Sequence, residues 1–334
     1  MKVSVLIPVY NKAPFLRECL DSVYAQGHAD LEVVAVDDHS TDGSLDLLRA
    51  ETDPRLRIIA LPENRGPAGA ANAGLDACTG AYVVRLDADD LMVPDRIARQ
   101  VAYMEAHPEV GASGGWLQLF GARDRTWKFP LHDAACRAQL LFGVPVSQGA
   151  SILRRSVLEA HALRYDPAWP RVGEDWLFWT RLARVSAFGN LDAPITLYRR
   201  GEQNISHGRD KHADHDHLVR AVFAWFHVPH TDADVRLHLM ALRLFDGTPT
   251  AADVRGLRAW LDRLLAWNDR ERTFPAEAFA ARVSQAWDGL FHVLADRDAR
   301  AAWAHLRLSR SWAPDRLWYL MRKATGTRPP AHRG

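Results

Sequence analysis

Ala81-Tyr82-Val83-Val84-Arg85-Leu86-Asp87-Ala88-Asp89-Asp90 reads as a short strand that stops in carboxylates. An apolar run of this length, bounded by Gly80 on one side and by charge on the other, is the pattern of a strand buried on both faces. The acids belong at its end, because a carboxylate buried within the sheet would lose its hydration without replacement. Leu31 to Val36 repeats the design and ends in Asp37-Asp38. Val3 to Ile7, ended by Pro8, and Arg57 to Leu61 complete a set of four strands.

Helical patterns fill the intervals. From Pro14 to Gln26, Phe15, Leu16, Cys19, Leu20, Val23 and Tyr24 recur at helical spacing. Ser40 or Thr41 is the expected cap of a helix through Leu45, Leu47 and Leu48. Gly69 to Cys78 is a small-residue helix closed by Gly80, and a further helix begins at Pro94. Strands alternating with helices predict an α/β fold, a mostly parallel sheet flanked by helices. Ligands of such sheets bind beyond the carboxyl ends of the strands. Both acidic clusters lie there, so they are expected to face one crevice.

The remainder differs in character. Residues 211–323 carry helical-period apolar sets, Leu218, Val222, Trp225 and Phe226, then Leu257, Trp260, Leu261, Leu264 and Leu265, then Trp303, Leu306, Leu317, Trp318 and Met321. The expected organisation is an α/β domain over 1–205, a helical region over 206–326 and a flexible tail over 327–334. The Trp stripe reads as helix-packing core.

Composition narrows the function. The chain has 334 residues, 42 basic and 41 acidic side chains, and a formal charge of +1. That balance argues against bulk capture of nucleic acid. Cys19, Cys78 and Cys136 are too widely spaced for a disulfide framework or a zinc knuckle, which suits reduced thiols and a cytoplasmic setting. The apolar opening is too short for a signal peptide, and no run is long enough to span a membrane. No G-x-G-x-x-G follows the first strand, which disfavours a nicotinamide dehydrogenase, and Pro8-Val9-Tyr10-Asn11 is not the glycine-rich loop of a pyrophosphorylase.

Asp87-Ala88-Asp89-Asp90 carries the chemistry. Carboxylates at i and i+2 can share one pole, and Mg²⁺ or Mn²⁺ takes one or two such ligands and completes its shell with water and substrate phosphate. A capped turn is the alternative reading of the same residues.

The motifs occur in a telling order. Val5-Leu6-Ile7-Pro8-Val9-Tyr10-Asn11 comes first, then Val36-Asp37-Asp38-His39-Ser40-Thr41-Asp42-Gly43-Ser44. Asn64-Arg65-Gly66, Ala71-Asn72-Ala73-Gly74-Leu75, the acidic quartet with Pro94-Asp95-Arg96, and Gly173-Glu174-Asp175-Trp176 follow. Over about residues 2–200 this succession resembles the family 2 glycosyltransferases, which have the GT-A fold and mostly invert the anomeric centre. The resemblance implies a metal-dependent transfer of a sugar from a nucleotide-diphosphate donor, a UDP-sugar first among them, to a saccharide or lipid-linked hydroxyl. It implies bacterial cell-surface polysaccharide assembly as the setting. It places Pro8, Tyr10 and Asp38 around the base and ribose, and adds Asn64, Arg65 and Asn72 to the donor contacts. It gives Asp87 to the ribose or the metal's water shell and Asp89 to the metal, and makes Asp175, beside Glu174, the general base. Arg171, Trp176 and the segment from Pro145 to Ser151 are the expected acceptor wall. A non-catalytic nucleotide-sugar-binding module of the same fold is the alternative.

Two departures stand out. Relatives commonly have Arg where this chain has Ala71, so that either Arg65 supplies the cation or the phosphate contact is lost. Many carry a His in a Tyr-Arg-x-His context, whereas Tyr198-Arg199-Arg200 meets Gly201 and leaves His207 as the further metal or phosphate ligand. The cluster from His212 to His217 lacks the second arm of a zinc site and reads as a solvated helix start. Arg316, Arg322 and Lys323 around Leu317, Trp318, Leu320 and Met321 suit helix packing, or a peripheral contact with the inner face of a membrane.

Overall fold

The computed structural model describes residues 1–121, 125–169, 172–201, 210–309 and 314–324. The chain divides into two compact units, Met1–Arg209 and Asp210–Gly334. The first unit opens with β1 (Val3–Val9), α1 (Ala13–Tyr24), β2 (Leu31–Asp37), α2 (Ser44–Ala50), β3 (Leu56–Ala60), α3 (Gly66–Ala77) and β4 (Tyr82–Arg85). It continues through β5 (Leu91–Met92), α4 (Arg96–Ala106), β6 (Val110–Gly121), β7 (Arg125–Trp127), α5 (Asp133–Gln139), β8 (Ile152–Arg154), α6 (Arg155–Ala160), α7 (Glu174–Leu182) and β9 (Ala187–Arg200).

The strands form one sheet in the order β3-β2-β1-β4-β8-β6-β9-β5, with β7 paired to β6. The first four strands are parallel, as alternating strands and helices require. Beyond β4 the sheet is mixed, with β8 antiparallel to both β4 and β6 while β6 and β9 run parallel. Register sets the site. Val9 pairs with Asp37 and Asp37 with Ala60, so the carboxyl ends of β1, β2 and β3 are level. Arg85 pairs with Leu6, and the Leu86 N–H reaches the Leu6 carbonyl before the chain leaves the sheet. Asp37, Asp38 and Asp87 thus emerge along one edge, next to the β1/β4 junction where the strand order reverses.

Local physics explains where the boundaries differ from expectation. β1 does not stop at Pro8 but runs to Val9. Along β1 the Leu6 carbonyl faces β4, and Pro8 lies on the same side, past the last β4 pair, so its missing N–H breaks no ladder bond. Neither Ser40 nor Thr41 caps α2, which starts after Gly43 at φ 86°. Asp42 accepts from the Ser44 N–H instead, and Ser40 and Thr41 bond to Asn11. α4 begins at Arg96 rather than Pro94, after Asp95 in a left-handed conformation. α3 lies very close to the sheet because Gly74 faces it, where a Cβ would come within 2.0 Å of Leu6 Cδ1. The core between helices and sheet is built from β1, β2 and β4 with Leu16, Cys19, Leu20 and Val23 of α1.

The second unit is helical: α8 (Lys211–Phe226), α9 (Asp232–Ala241), α10 (Ala251–Glu271), α11 (Ala276–Asp288), α12 (Phe291–Arg297), α13 (Ala299–Leu308) and α14 (Pro314–Ala324). Thr231 with Asp234 and Thr250 with Asp253 form capping boxes at α9 and α10. Trp260, Trp267 and Trp287 are buried in its core, whereas Trp303 and Trp318 are 45% and 50% exposed, so the Trp stripe is only partly core. The His212–His217 stretch is a capped helix start. Asp210 accepts from the N–H groups of His212 and Ala213, and Asp216 pairs with Arg220. Among the described residues no helix is long and apolar enough to cross a membrane.

Candidate active site

The loops at the carboxyl edge are tied to one another. The Asn11 N–H donates to Ser40 Oγ at 3.1 Å, Lys12 N–H to Ser44 Oγ at 2.9 Å and Ala13 N–H to Asp42 Oδ2 at 2.9 Å. Asp38 is only 4% exposed; its Oδ1 accepts the Arg65 N–H at 2.7 Å, and its carbonyl accepts from Asn64 Nδ2. This anchors the start of α3. Asn64 and Arg65, with Pro67, Pro167, Trp169 and Glu174, line a cavity of about 210 Å³. Tyr10, beside that edge, is exposed, and Pro8 is half-buried.

In the acidic quartet Asp87 lies 3.8 Å from Arg85 Nη2, and its side chain is 42% exposed. Burial raises the Asp87 carboxyl, Arg85 lowers it, and neighbouring Asp89 raises it further. Close approach at this point depends on Gly149, where a Cβ would meet Asp87 Oδ2 at 2.7 Å. Lys12 Nζ lies 2.7 Å from Asp89 Oδ2. Asp90 Oδ1 accepts the Arg199 N–H, while its Oδ2 is buried without a hydrogen-bond partner among the described residues. Burial, then the charges of Asp87 and Asp89, pushes the Asp90 carboxyl well up.

Glu174 and Asp175 open α7, directly after Gly173 at φ 87°, in the first turn where the helix dipole favours acids. The Trp176 N–H donates to Asp175 Oδ1 at 2.8 Å. Burial and then the Asp175 charge push Glu174 up to about 8. Burial raises Asp175 to about 6, its hydrogen bond from Trp176 opposes this, and Asp87 adds to it. Burial thus raises both carboxyls of this pair above the ordinary range. The buried Arg85 is the shared cation, lowering Asp87, Glu174 and Asp175 together. It lies 5.9 Å from the ring centre of Tyr165, which stacks on Phe178 of α7 at 4.4 Å.

Hence Asp87 lies within electrostatic reach of the Glu174-Asp175 pair, and Asn64, Arg65 and Glu174 line one cavity. The structure gives Asn72 another task. Its Nδ2 donates to the Tyr165 carbonyl and its Oδ1 accepts the Tyr165 N–H, both at 2.9 Å, so its amide braces the backbone at Tyr165. Trp176 is no acceptor wall. It is 3% exposed and donates to the Leu140 carbonyl at 2.7 Å. The Pro145–Ser151 stretch is largely buried and supplies carbonyls to Asn190, Arg96 and Gln100. Arg171 and His207 lie outside the described residues.

Lys12, Arg85, Arg96 and Arg199 went unread as site residues. Arg85 had a signal in the sequence, since a cation inside an apolar strand must find an anion. Lys12 had none, because only folding sets it against Asp89.

Among the described residues no three His, Cys, Asp or Glu side chains form a ready metal cage. Asp87 and Asp89 do fit a hard divalent cation that draws its remaining ligands from phosphate and water. The raised Asp87 and Asp90 carboxyls and the orphaned Asp90 Oδ2 mark the excess negative charge such a cation would relieve.

Comparison with known proteins bears on the family and the fold. Residues 4–161 match the family described as "Glycosyl transferase family 2". An uncharacterized glycosyltransferase of Haemophilus influenzae is 31% identical over 219 residues, 61% of this chain and 67% of that protein. The succinoglycan biosynthesis protein ExoO of Rhizobium meliloti is 35% identical over 188 residues, 52% of this chain and 53% of its own. The chain thus spans about two thirds of the first relative and about half of the second. Among solved structures, S. aureus TarS 1–349 in complex with UDP-GlcNAc superposes with a TM-score of 0.60 at 18% identity, covering 98% of this chain and 93% of that one. At that identity the likeness establishes the fold.

Proposed function

Because the chain belongs to glycosyl transferase family 2, we propose that it moves a sugar from a nucleotide-diphosphate donor, a UDP-sugar by preference, to a hydroxyl of a saccharide or lipid-linked acceptor with inversion. The name of the succinoglycan relative supports assembly of a bacterial extracellular polysaccharide as the setting. UDP-GlcNAc in the structural neighbour supports the donor class.

In this reading Pro8, Tyr10 and Asp38 receive the base and ribose at the ends of β1 and β2. Asn64 and Arg65 face the donor across the 210 Å³ cavity, and the half-exposed Arg65 guanidinium substitutes for the cation absent at Ala71. Asp87 and Asp89 would hold Mn²⁺ or Mg²⁺. When bound, that ion stabilises the negative charge on the departing nucleoside diphosphate as a Lewis acid. Asp175 accepts the proton of the acceptor hydroxyl, with its carboxylate plane fixed by the Trp176 N–H. A base on one side of the anomeric carbon and the leaving group on the other give in-line displacement. What supports the reading most is that Asp87 lies near enough to Asp175 to raise its pKa, although the two are far apart in sequence.

The test is a thermal-shift screen of UDP-, dTDP- and GDP-sugars with and without Mn²⁺. A ligand at a hundred times its Kd stabilises the native state by about 2.7 kcal/mol. A UDP-sugar is expected to raise Tm more with Mn²⁺ than without, and Asp89→Ala to lose that increment relative to its own ligand-free melt. An increment unchanged in Asp89→Ala would refute the metal assignment.

A peripheral membrane contact belongs to the same reading and falls to α14. There Trp318 and Met321 are exposed three residues apart, with Arg322 4.6 Å from the Trp318 ring. Co-sedimentation with phosphatidylglycerol vesicles, but not with phosphatidylcholine, is expected for the wild type and is expected to drop in Trp318→Ser/Met321→Ser. Equal sedimentation of both proteins with anionic vesicles would remove the contact.

A further inference from the structure

Two aromatic rings stand on the carboxyl side of the sheet, beyond the end of β4. Val84, Ile152 and Ser113 are level across β4, β8 and β6, so residues 117–121 of β6 continue past the point where β4 stops at Arg85. β9 pairs with β6 along one edge up to Gly121, and β7 therefore takes the other edge, the one that β8 holds at Ala112 and Ser113. Leu117 pairs with Trp127 and Leu119 with Tyr198, which puts all four side chains on one face. Trp127 and Tyr198 are half-buried, with ring centres 5.6 Å apart and planes tilted by 31°. Both rest on the small core of Leu117, Leu119, Ala150 and Ile195.

That core adjoins the acids. Ala150 follows Gly149, whose close approach to Asp87 is described above. The Arg199 N–H, next along β9 from Tyr198, donates to Asp90 Oδ1 at 2.8 Å. Burial, then the charges of Asp90, Asp87 and Asp89, pushes the Tyr198 phenol up, so this ring is within electrostatic reach of the quartet.

Strand order says what the rings can receive. The ends of β1 and β2, which receive the base and ribose in the proposed reading, lie on one side of β4, and β7, β6 and β9 lie on the other. In-line displacement brings the acceptor from the side away from the nucleotide. A pyranose has a face of C–H groups, which complements the negative face of an aromatic ring, and a rim of hydroxyls. The Arg200 guanidinium, 5.3 Å from the centre of the Trp127 ring, places hydrogen-bond donors beside such a rim.

We propose that Trp127 and Tyr198 form a platform on which a sugar ring of the acceptor stacks, next to the acidic quartet. The inference rests on the reading of the chain as a sugar transferase and supplies the acceptor contact that buried Trp176 does not.

The experiment is saturation-transfer difference NMR of methyl β-glucoside, methyl β-galactoside and methyl β-N-acetylglucosaminide in the presence of UDP and Mg²⁺. It compares the wild type with Trp127→Leu, Trp127→Phe and Tyr198→Leu, and calorimetry gives the UDP affinity of each. At least one glycoside is expected to bind the wild type, with transfer strongest at the C–H groups of one ring face. Trp127→Leu and Tyr198→Leu keep an apolar contact with the core beneath, and each is expected to weaken that glycoside by about tenfold. Trp127→Phe keeps a ring and is expected to stay within about threefold of the wild type. UDP affinity is expected to stay within about twofold throughout. Thermal melts establish that each variant is folded. UDP binding without any glycoside bound, or a glycoside bound equally by Trp127→Leu, overturns the platform and leaves the donor reading standing. UDP affinity lost with glycoside affinity in Trp127→Leu gives the rings to the donor and overturns the acceptor assignment. A wild type that binds neither UDP nor glycoside overturns the donor reading and the platform together.

Discussion

Asp175→Asn is expected to lower turnover by about 10²–10⁴-fold while leaving nucleotide affinity within about twofold of the wild type. The substitution keeps shape and the hydrogen bond from the Trp176 N–H but removes the proton acceptor. In barrier terms this is about 3–5 kcal/mol lost in the transition state alone. The wild-type pH profile carries the same signature. A base acts only when ionised, and burial raises Asp175 to about 6, so kcat should climb as pH rises through that value and level off above it. Residual activity of Asp175→Asn should show no such limb. Initial rates from pH 5 to 8, with UDP-sugar binding measured by calorimetry, check both statements. Parallel loss of binding and rate would make Asp175 structural, and a limb that persists in the variant would assign the titration to another group.

Arg96→Met is expected to cost about 3–5 kcal/mol of stability, the largest effect of a single change in the first unit. Arg96 is fully buried at the start of α4. Its guanidinium joins the end of β4, through the Arg85 carbonyl at 2.7 Å, to Gly149 in the turn facing Asp87 and to Thr196 of β9. Methionine fills much of the volume but leaves these acceptors without donors, each at a cost of about 1–3 kcal/mol. Part is returned because a buried cation no longer has to be desolvated, a cost visible in Arg96 being pushed down to about 9. A urea denaturation midpoint followed by tryptophan fluorescence measures the loss. A drop of less than about 1 kcal/mol would show that waters satisfy the orphaned carbonyls. Because Arg96 holds the floor beneath Asp87, the variant should also bind UDP and Mn²⁺ more weakly wherever it remains folded.

How much of this was legible varies by element, for physical reasons. The strands β1 to β4 and the helices between them could be read because each is a local apolar period, and a parallel sheet buries both faces of its strands. The long strands β6 and β9 could not. β6 runs through Gly111, Ser113, Gly114 and Gly115, and β9 through Gly189, Asn190 and Asp192, where no apolar alternation survives. Those small residues are explained only by their neighbours. A Cβ at Gly114 would strike Asn190 and Val146, and one at Gly189 would strike Tyr103. Long-range pairing wrote that pattern.

The sequence by itself determined the parallel half of the sheet, the helical second unit, and the placement of acids at strand ends, because hydrophobic period and the cost of burying charge act over a few residues at a time. Only the tertiary structure decided which acids come within electrostatic reach of one another, and which of them answer to Lys12, Arg85 or Arg96. It raised both Glu174 and Asp175 by burial, the first further by the charge of Asp175 and the second by that of Asp87. Desolvation and Coulomb coupling depend on distances between residues far apart along the chain, and those distances exist only once the chain has folded.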